Sequence, residues 1–207
     1  MKVYYTSSSP FVRKVLVTGY ELGFGERIEK LANSVNPINR DANIVALNPT
    51  GQVPTFIADD GEVLYDSRVI CEYLDAQDGR HRIFPVAGPA RWRALREQSM
   101  GDGLLDAALL ARYESFFRPA EFRWQAWQDG QMAKIESSLQ AIDKLAASFG
   151  DRFDIGPLTV ACALGYLDFR FPTLGWRERY QSVAAWCKEV STRPSLQATV
   201  NVDPSVR

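Results

Sequence analysis

The chain has 207 residues with 24 basic and 25 acidic side chains, a formal charge of −1, and 46% hydrophobic residues. That size and balance suit one large globular domain or two smaller ones with a substantial core, and they exclude the basic excess of a nucleic-acid binder and the like-charge blocks of an interaction tail. No stretch of about 18 apolar residues is available to cross a membrane, and MKVYYTSSSP lacks the apolar core of a secretory signal, so a cytoplasmic location without membrane or nucleic-acid partners is expected.

The first 80 residues mix strand and helix signals. KVYY is a short β-prone run. PFVRKVLVTGYELG spaces Phe11, Val15, Leu16 and Leu22 for a helix that Gly23 stops. RIEKLA predicts a second strand, and NRDANIVALNPTG a short helix closed by Asn48-Pro49-Thr50-Gly51. Val53 to Ala58 and Glu62 to Tyr65 form a hairpin around Asp59-Asp60-Gly61. Asp66-Ser67 then opens a helix with the stripe Val69, Ile70, Tyr73 and Leu74. The predicted order is β-α-β-α-β-β-α. Residues 79–89, rich in Gly and Pro, read as a linker, and the pattern beyond is helical to the end. Ala90 to Phe116 is one run. Phe122 to Phe149 is another, with Trp124, Trp127, Met132, Ile135, Leu139, Ile142, Ala146 and Phe149 at helical steps. PLTVACALGYLDFRF reads as a buried helix. The expected division is an α/β domain over 1–80 and an all-helical domain over 87–207.

Cys71, Cys162 and Cys187 are odd in number and far apart, which suits buried free thiols in a reducing compartment better than a disulfide framework. His81 is the single histidine, which excludes a His-dependent triad and a His-rich metal site; no metal is expected.

Chemistry points to the junction YTSSSPFVRKV, residues 5–15. Pro10 suits the first helical position, which makes Ser9 the N-cap, its oxygen accepting from a first-turn N–H. A helix N-terminus also concentrates unpaired N–H groups and partial positive charge, so a serine there can instead donate to a bound anion. Asp66-Ser67 repeats the placement at another helix start, and the two together suit a small polar anion with a peptide-like backbone.

These residues resemble the cytosolic glutathione S-transferases. SSSPFVRKV follows the first strand, LNPTGQVPTFIADDGEVLYDSRVICEYL carries the family pattern N-P-x-G-x-V-P followed by an acidic residue and Ser before a helix, and the chain turns helical near residue 85. The likeness spans essentially the whole chain and is nearest to bacterial glutathione-transferase-like proteins of the serine type. It implies a thioredoxin-like N-terminal domain followed by an all-helical C-terminal domain, with glutathione as co-substrate. It further implies that Pro54 is cis, that Val53 pairs its backbone with the cysteinyl part of glutathione, and that Asp66 holds the γ-glutamyl ammonium while Ser67 holds its carboxylate. Gln52 is implied near the glycyl end and Ser9 beside the sulfur. Ser7 and Ser8 remain alternatives to Ser9, and a tyrosine-type role for Tyr4 or Tyr5 a minor one. The implied activity is transfer of the glutathione thiolate to a small hydrophobic electrophile, a detoxification chemistry, by a homodimer. Glutathione-dependent reduction, dehalogenation and isomerisation belong to the same class, and the alternative is a non-catalytic module acting as a stress or assembly factor. Met100, Leu104, Tyr113 and Phe116 are candidates for the electrophile pocket. Thr159-Val160-Ala161-Cys162 stands where many family members carry an S/T-x-x-D capping box, and here the acid is missing.

Overall fold

The computed structural model describes residues 1–33 and 35–203. They fall into two compact units, Met1–Ala87 together with the segment from Arg193 onward, and Gly88–Thr192. Residues 193–203 thus group with the strands and not with the long helices.

The first unit runs β1 (Lys2–Tyr5), α1 (Pro10–Glu21), β2 (Glu29–Ala32), α2 (Ala42–Leu47), β3 (Thr55–Ile57), β4 (Val63–Leu64) and α3 (Ser67–Asp78). The sheet order is β2-β1-β3-β4, with β1 parallel to β2 and antiparallel to β3, and β3 antiparallel to β4. Period-2 alternation turns Val3 and Phe56 inward, and both are fully buried. They are joined in the core by Val12, Val15 and Leu16 of α1 and by Ile70, Cys71 and Leu74 of α3. The α3 stripe is thus narrower than its spacing predicts: Val69 is exposed because it sits on the solvent side of the turn that buries Ile70. β3 and β4 are also shorter than the predicted strands, since the Asp59-Asp60-Gly61 turn takes up Ala58 and Glu62 through the Ala58 N–H to Glu62 O bond of 2.9 Å. The carboxylate of Asp75, buried in α3, accepts from the N–H groups of Ile83 (2.9 Å) and Phe84 (3.1 Å) and fixes the chain leaving the sheet.

The second unit contains α4 (Gly88–Phe116), α5 (Gln125–Phe149), α6 (Ile155–Arg170), α7 (Trp176–Arg179) and α8 (Gln181–Val190). The predicted α5 stripe holds from Ile135 to Phe149, all buried, but Trp124 is the residue before the helix and is exposed, as is Phe122. α6 is buried along most of its length and packs closely on α4: a Cβ at Gly101 would lie 2.9 Å from Thr159 Cγ2, and one at Gly156 would lie 2.6 Å from Glu97 Oε2. α6 starts before the position that the family likeness implies. Asp154 caps it by accepting from Gly156 N–H at 3.1 Å and also pairs with Arg152, which reaches Glu97 at 2.9 Å. The acid missing at Cys162 is therefore not needed, and Thr159 sits inside the helix donating to Ile155 O at 2.7 Å. All three cysteines are buried free thiols, and burial pushes the Cys187 thiol upward despite Arg177. Among the described residues no helix is long and apolar enough to cross a membrane.

α9 (Pro194–Gln197) returns the chain to α1 of the first unit. Arg193 forks onto Glu21 at 3.0 and 2.6 Å, and Ser195 Oγ donates to the same carboxylate. Burial pushes the Glu21 carboxyl up, but the bonds from Arg193 and Ser195, with the charges of Arg193 and Arg82, bring it below its usual 4.5. A carboxyl lowered on folding adds stability above its unfolded value, and loses it as the pH falls through the folded one. The protection factors of the amides across residues 194–202, with exchange taken relative to the intrinsic rate at each pH, should accordingly fall in the wild type as the pH drops below about 4.5, whereas Glu21→Gln should show low protection at neutral pH already and a flatter profile. Parallel profiles for the two proteins would contradict this anchoring.

Candidate glutathione site

The sheet register determines what meets at its end. Tyr4 is paired with Thr55, and Phe56 with Leu64. Extending both ladders sets Tyr5 and Thr6 level with Pro54 and Val53, and Pro54 level with Asp66. The serine loop after β1, the Val53–Pro54 entry to β3 and the Asp66–Ser67 start of α3 thereby share one end of the sheet.

Ser9 is the N-cap of α1: its backbone is extended, and its Oγ accepts from Val12 N–H at 3.2 Å. A hydroxyl that accepts one bond keeps its own proton to donate, so cap and donor are not competing roles. The first-turn amides are fewer than a bare helix end offers. Pro10 has none, Val12 is bound to Ser9 Oγ, and Arg13 N–H closes onto Ser9 O at 3.1 Å. Among the described residues Phe11 N–H has no partner. Ser9 N–H donates to Thr6 O at 3.1 Å, which makes Thr6 to Ser9 a closed turn. Ser7 is spent on the C-terminal segment, its Oγ donating to Val202 O at 3.1 Å, while Ser8 makes no hydrogen bond to the described residues. Tyr4 and Tyr5 are half-buried strand residues, with Lys30 Nζ 5.6 Å from the Tyr5 ring centre.

The Val53–Pro54 bond is cis, as is Tyr65–Asp66. Among the described residues no hydrogen bond engages the N–H or C=O of half-buried Val53, so this residue offers an open strand edge. The loop that presents it is built around buried Asn48, which the sequence marks only as the end of the preceding helix. Asn48 Nδ2 donates to Gln52 O (3.2 Å) and Thr55 Oγ1 (3.0 Å), and its Oδ1 accepts from the backbone and hydroxyl of Thr50. Gly51, at φ +66, completes the turn. The signal for this role was a polar residue directly after a short apolar helix and before Pro. Gln52 is exposed beside Val53.

Asp66 caps α3 with Oδ1, which accepts from Arg68 N–H at 2.9 Å, while Ile70 N–H bonds its carbonyl at 3.0 Å. Its other oxygen has no partner among the described residues, and the residue is exposed, so a ligand cation can reach it. Ser67 is 2% exposed at the first helical position. Every residue assigned to glutathione is thus at this end of the sheet. The proposed electrophile-pocket residues are in the second unit and are heterogeneous: Leu104 is fully buried core, which removes it from any open pocket, Met100 and Tyr113 are half-buried, and Phe116 is exposed. Burial pushes the Tyr113 phenol up, and burial with neighbouring Tyr113 pushes Tyr166 up to about 12, so both stay protonated at neutral pH. Among the described residues no group of three or more His, Cys, Asp or Glu could hold a metal ion.

Known proteins resemble this chain along its length. The family model described as the N-terminal domain of glutathione S-transferase matches residues 8–77, and that of the C-terminal domain matches residues 125–189. The uncharacterized GST-like protein YibF of Escherichia coli is 31% identical over 180 residues, 85% of this chain and 86% of that protein. Glutathione S-transferase GstB of the same organism is 31% identical over 208 residues, 96% of this chain and 97% of that protein. A glutathione transferase family member from Pseudomonas fluorescens, solved with bound glutathione, superposes with a TM-score of 0.95 at 42% identity and covers 98% of this chain and 99% of its own. A second structure from that organism holds S-(propanoic acid)-glutathione and has a TM-score of 0.90 at 41% identity, over 97% and 99% of the two chains.

Loss of the cap alone has a measurable cost. Ser9→Ala should lower the unfolding free energy by about 0.5–2 kcal/mol in urea denaturation, with Ser9→Asn nearly neutral; an unchanged midpoint for Ser9→Ala would show that the Val12 bond does not stabilise α1.

Proposed function

The chain belongs to the glutathione S-transferase family, and we propose that it binds glutathione at this end of the sheet and joins the ligand, through its sulfur, to a small electrophile. The observation that carries the reading is the coincidence of a donor hydroxyl at Ser9, an unpaired strand edge at Val53 and a half-free carboxylate at Asp66, in a chain 42% identical to a structure with bound glutathione. The unpaired backbone of Val53 suits the cysteinyl residue, which adds to it as a short extra strand. Asp66 suits the γ-glutamyl ammonium, and Ser67 with the start of α3 its carboxylate. Gln52 stands nearest the glycyl end.

Chemistry then follows from the thiol's pKa. A free cysteine thiol ionises at about 8.5, and lowering it by about two units takes roughly 2.7 kcal/mol. One hydrogen bond to a charged acceptor contributes about 1.5–3 kcal/mol, and a helix N-terminus about 0.3–1 kcal/mol. The Ser9 O–H and the Phe11 N–H at the start of α1 are therefore of the right size without a general base. The thiol proton leaves to solvent. A sulfur lone pair forms the new bond to an electrophilic carbon, and the leaving group departs with its bonding pair. The S-substituted glutathione in the second Pseudomonas fluorescens structure is the chemical type such a step yields.

Two measurements test the reading. Thiolate absorbance of bound glutathione, followed against pH, should place the thiol well below its free value in the wild type and in Ser8→Ala, and near the free value in Ser9→Ala. A thiol that titrates as in water in the wild type would favour the non-catalytic binding module instead. Asp66→Asn keeps a good cap and removes the charge, so it should weaken glutathione binding about 10–100-fold in calorimetry with little change in melting temperature. Undiminished affinity would remove Asp66 from the site.

A further inference from the structure

The loop carrying Ser9 is tied down by the far end of the chain. Ser7 O accepts from Val202 N–H at 3.2 Å and from Asn201 Nδ2 at 3.3 Å, and Ser7 Oγ returns a bond to Val202 O at 3.1 Å. Ser7 lies inside the Thr6 to Ser9 turn, so three bonds from the C-terminal segment grip the turn whose last residue is the α1 cap. At the other end of α1 the segment is held by Glu21, and between the two anchors Arg13 Nη2 donates to Leu196 O at 3.2 Å. Residues 193–202 therefore form a strap running back along α1 from its last turn to its first.

The strap closes over a small polar cleft lined by Tyr5, Ser9, Arg13, Lys30, Thr199 and Asn201. Asn201 is only 6% exposed, and its Oδ1 has no partner among the described residues, nor has Nε of Arg13, which is 9% exposed. Leaving a buried acceptor unmet costs about 1–3 kcal/mol, which an apolar residue of the same size would avoid. The function of the amide is then its bond to Ser7 O.

We propose that Asn201 and Ser7 are positioning residues for the glutathione thiol: they fix the serine turn, and with it the direction in which Ser9 Oγ presents its proton. The proposal rests on the role given to Ser9 above. A hydrogen bond weakens steeply with misalignment, so a loosened turn leaves glutathione bound through Asp66 and Val53 but ionises it less well.

The test follows the bound thiol's titration in the full chain for Ser7→Ala, Ser7→Thr, Asn201→Ala and Ser9→Ala. Ser7→Ala and Asn201→Ala should each raise the thiol pKa by about 0.5–1 unit while glutathione affinity at low pH changes less than about threefold. Ser7→Thr, which keeps the hydroxyl, should restore the wild-type value. If Ser9→Ala raises the pKa and neither strap variant does, the strap is only structural and the proposal falls while the proposed function stands. If Ser7→Ala raises it and Asn201→Ala does not, Ser7 touches the sulfur directly and the proposal falls. If Ser9→Ala leaves the pKa unchanged, the reading of Ser9 and this inference fall together. Ser7→Ala removes one half-buried loop hydroxyl, and its melting curve separates misfolding from misalignment.

Discussion

The pairing of β1 with β3 decides where everything else in the first unit can act. Val3 opposite Phe56 buries both side chains in the core, so a slip of one residue would turn each toward solvent. With that register held, Tyr4 lies opposite Thr55, and the chain leaving β1 arrives beside the chain entering β3. β4 inherits the same frame through Phe56 and Leu64, which delivers Asp66 to the same end. Three loops distant in sequence are thus gathered by a register that the buried Val3–Phe56 pair holds in place.

Polar groups at that end make their structural bonds with some atoms and leave others for the proposed ligand. Ser9 accepts from Val12 with its oxygen and retains a proton. Asp66 caps α3 with one oxygen and keeps the other. Asn48 uses both ends of its amide to hold the 48–55 loop, which leaves Val53 the edge residue there with an unpaired backbone. In the proposed site the Ser9 hydroxyl and the Asp66 carboxylate are preorganised, each already held by a second bond that binding need not break.

Much of this was legible in the sequence because the signals are local. Pro10 after Ser9 marks a cap by its fixed φ and missing N–H. The Asp59-Asp60-Gly61 turn marks a hairpin, and the 3.6-residue apolar rhythm marks the long helices. What escaped reading depends on partners distant in the chain. The capping acid of α6 is Asp154 rather than a residue after Thr159: the helix begins at Ile155, and Asp154 is held by Arg152, whose other partner, Glu97, is far away in the chain. Trp124 fits the helical stripe on spacing alone, yet the helix starts after it. The strap was illegible for the same reason: Asn201 and Ser7 are 194 positions apart, and nothing local in either predicts the bond between them.

The central claim is that Ser9 faces the ligand's sulfur. A crystal structure of the full chain with glutathione tests it most directly. The sulfur should lie within hydrogen-bond reach of Ser9 Oγ and near the Phe11 N–H, with the ligand's ammonium on the free oxygen of Asp66. A tripeptide bound elsewhere, or one whose sulfur points to Ser8 or a tyrosine with Ser9 turned away, would contradict it.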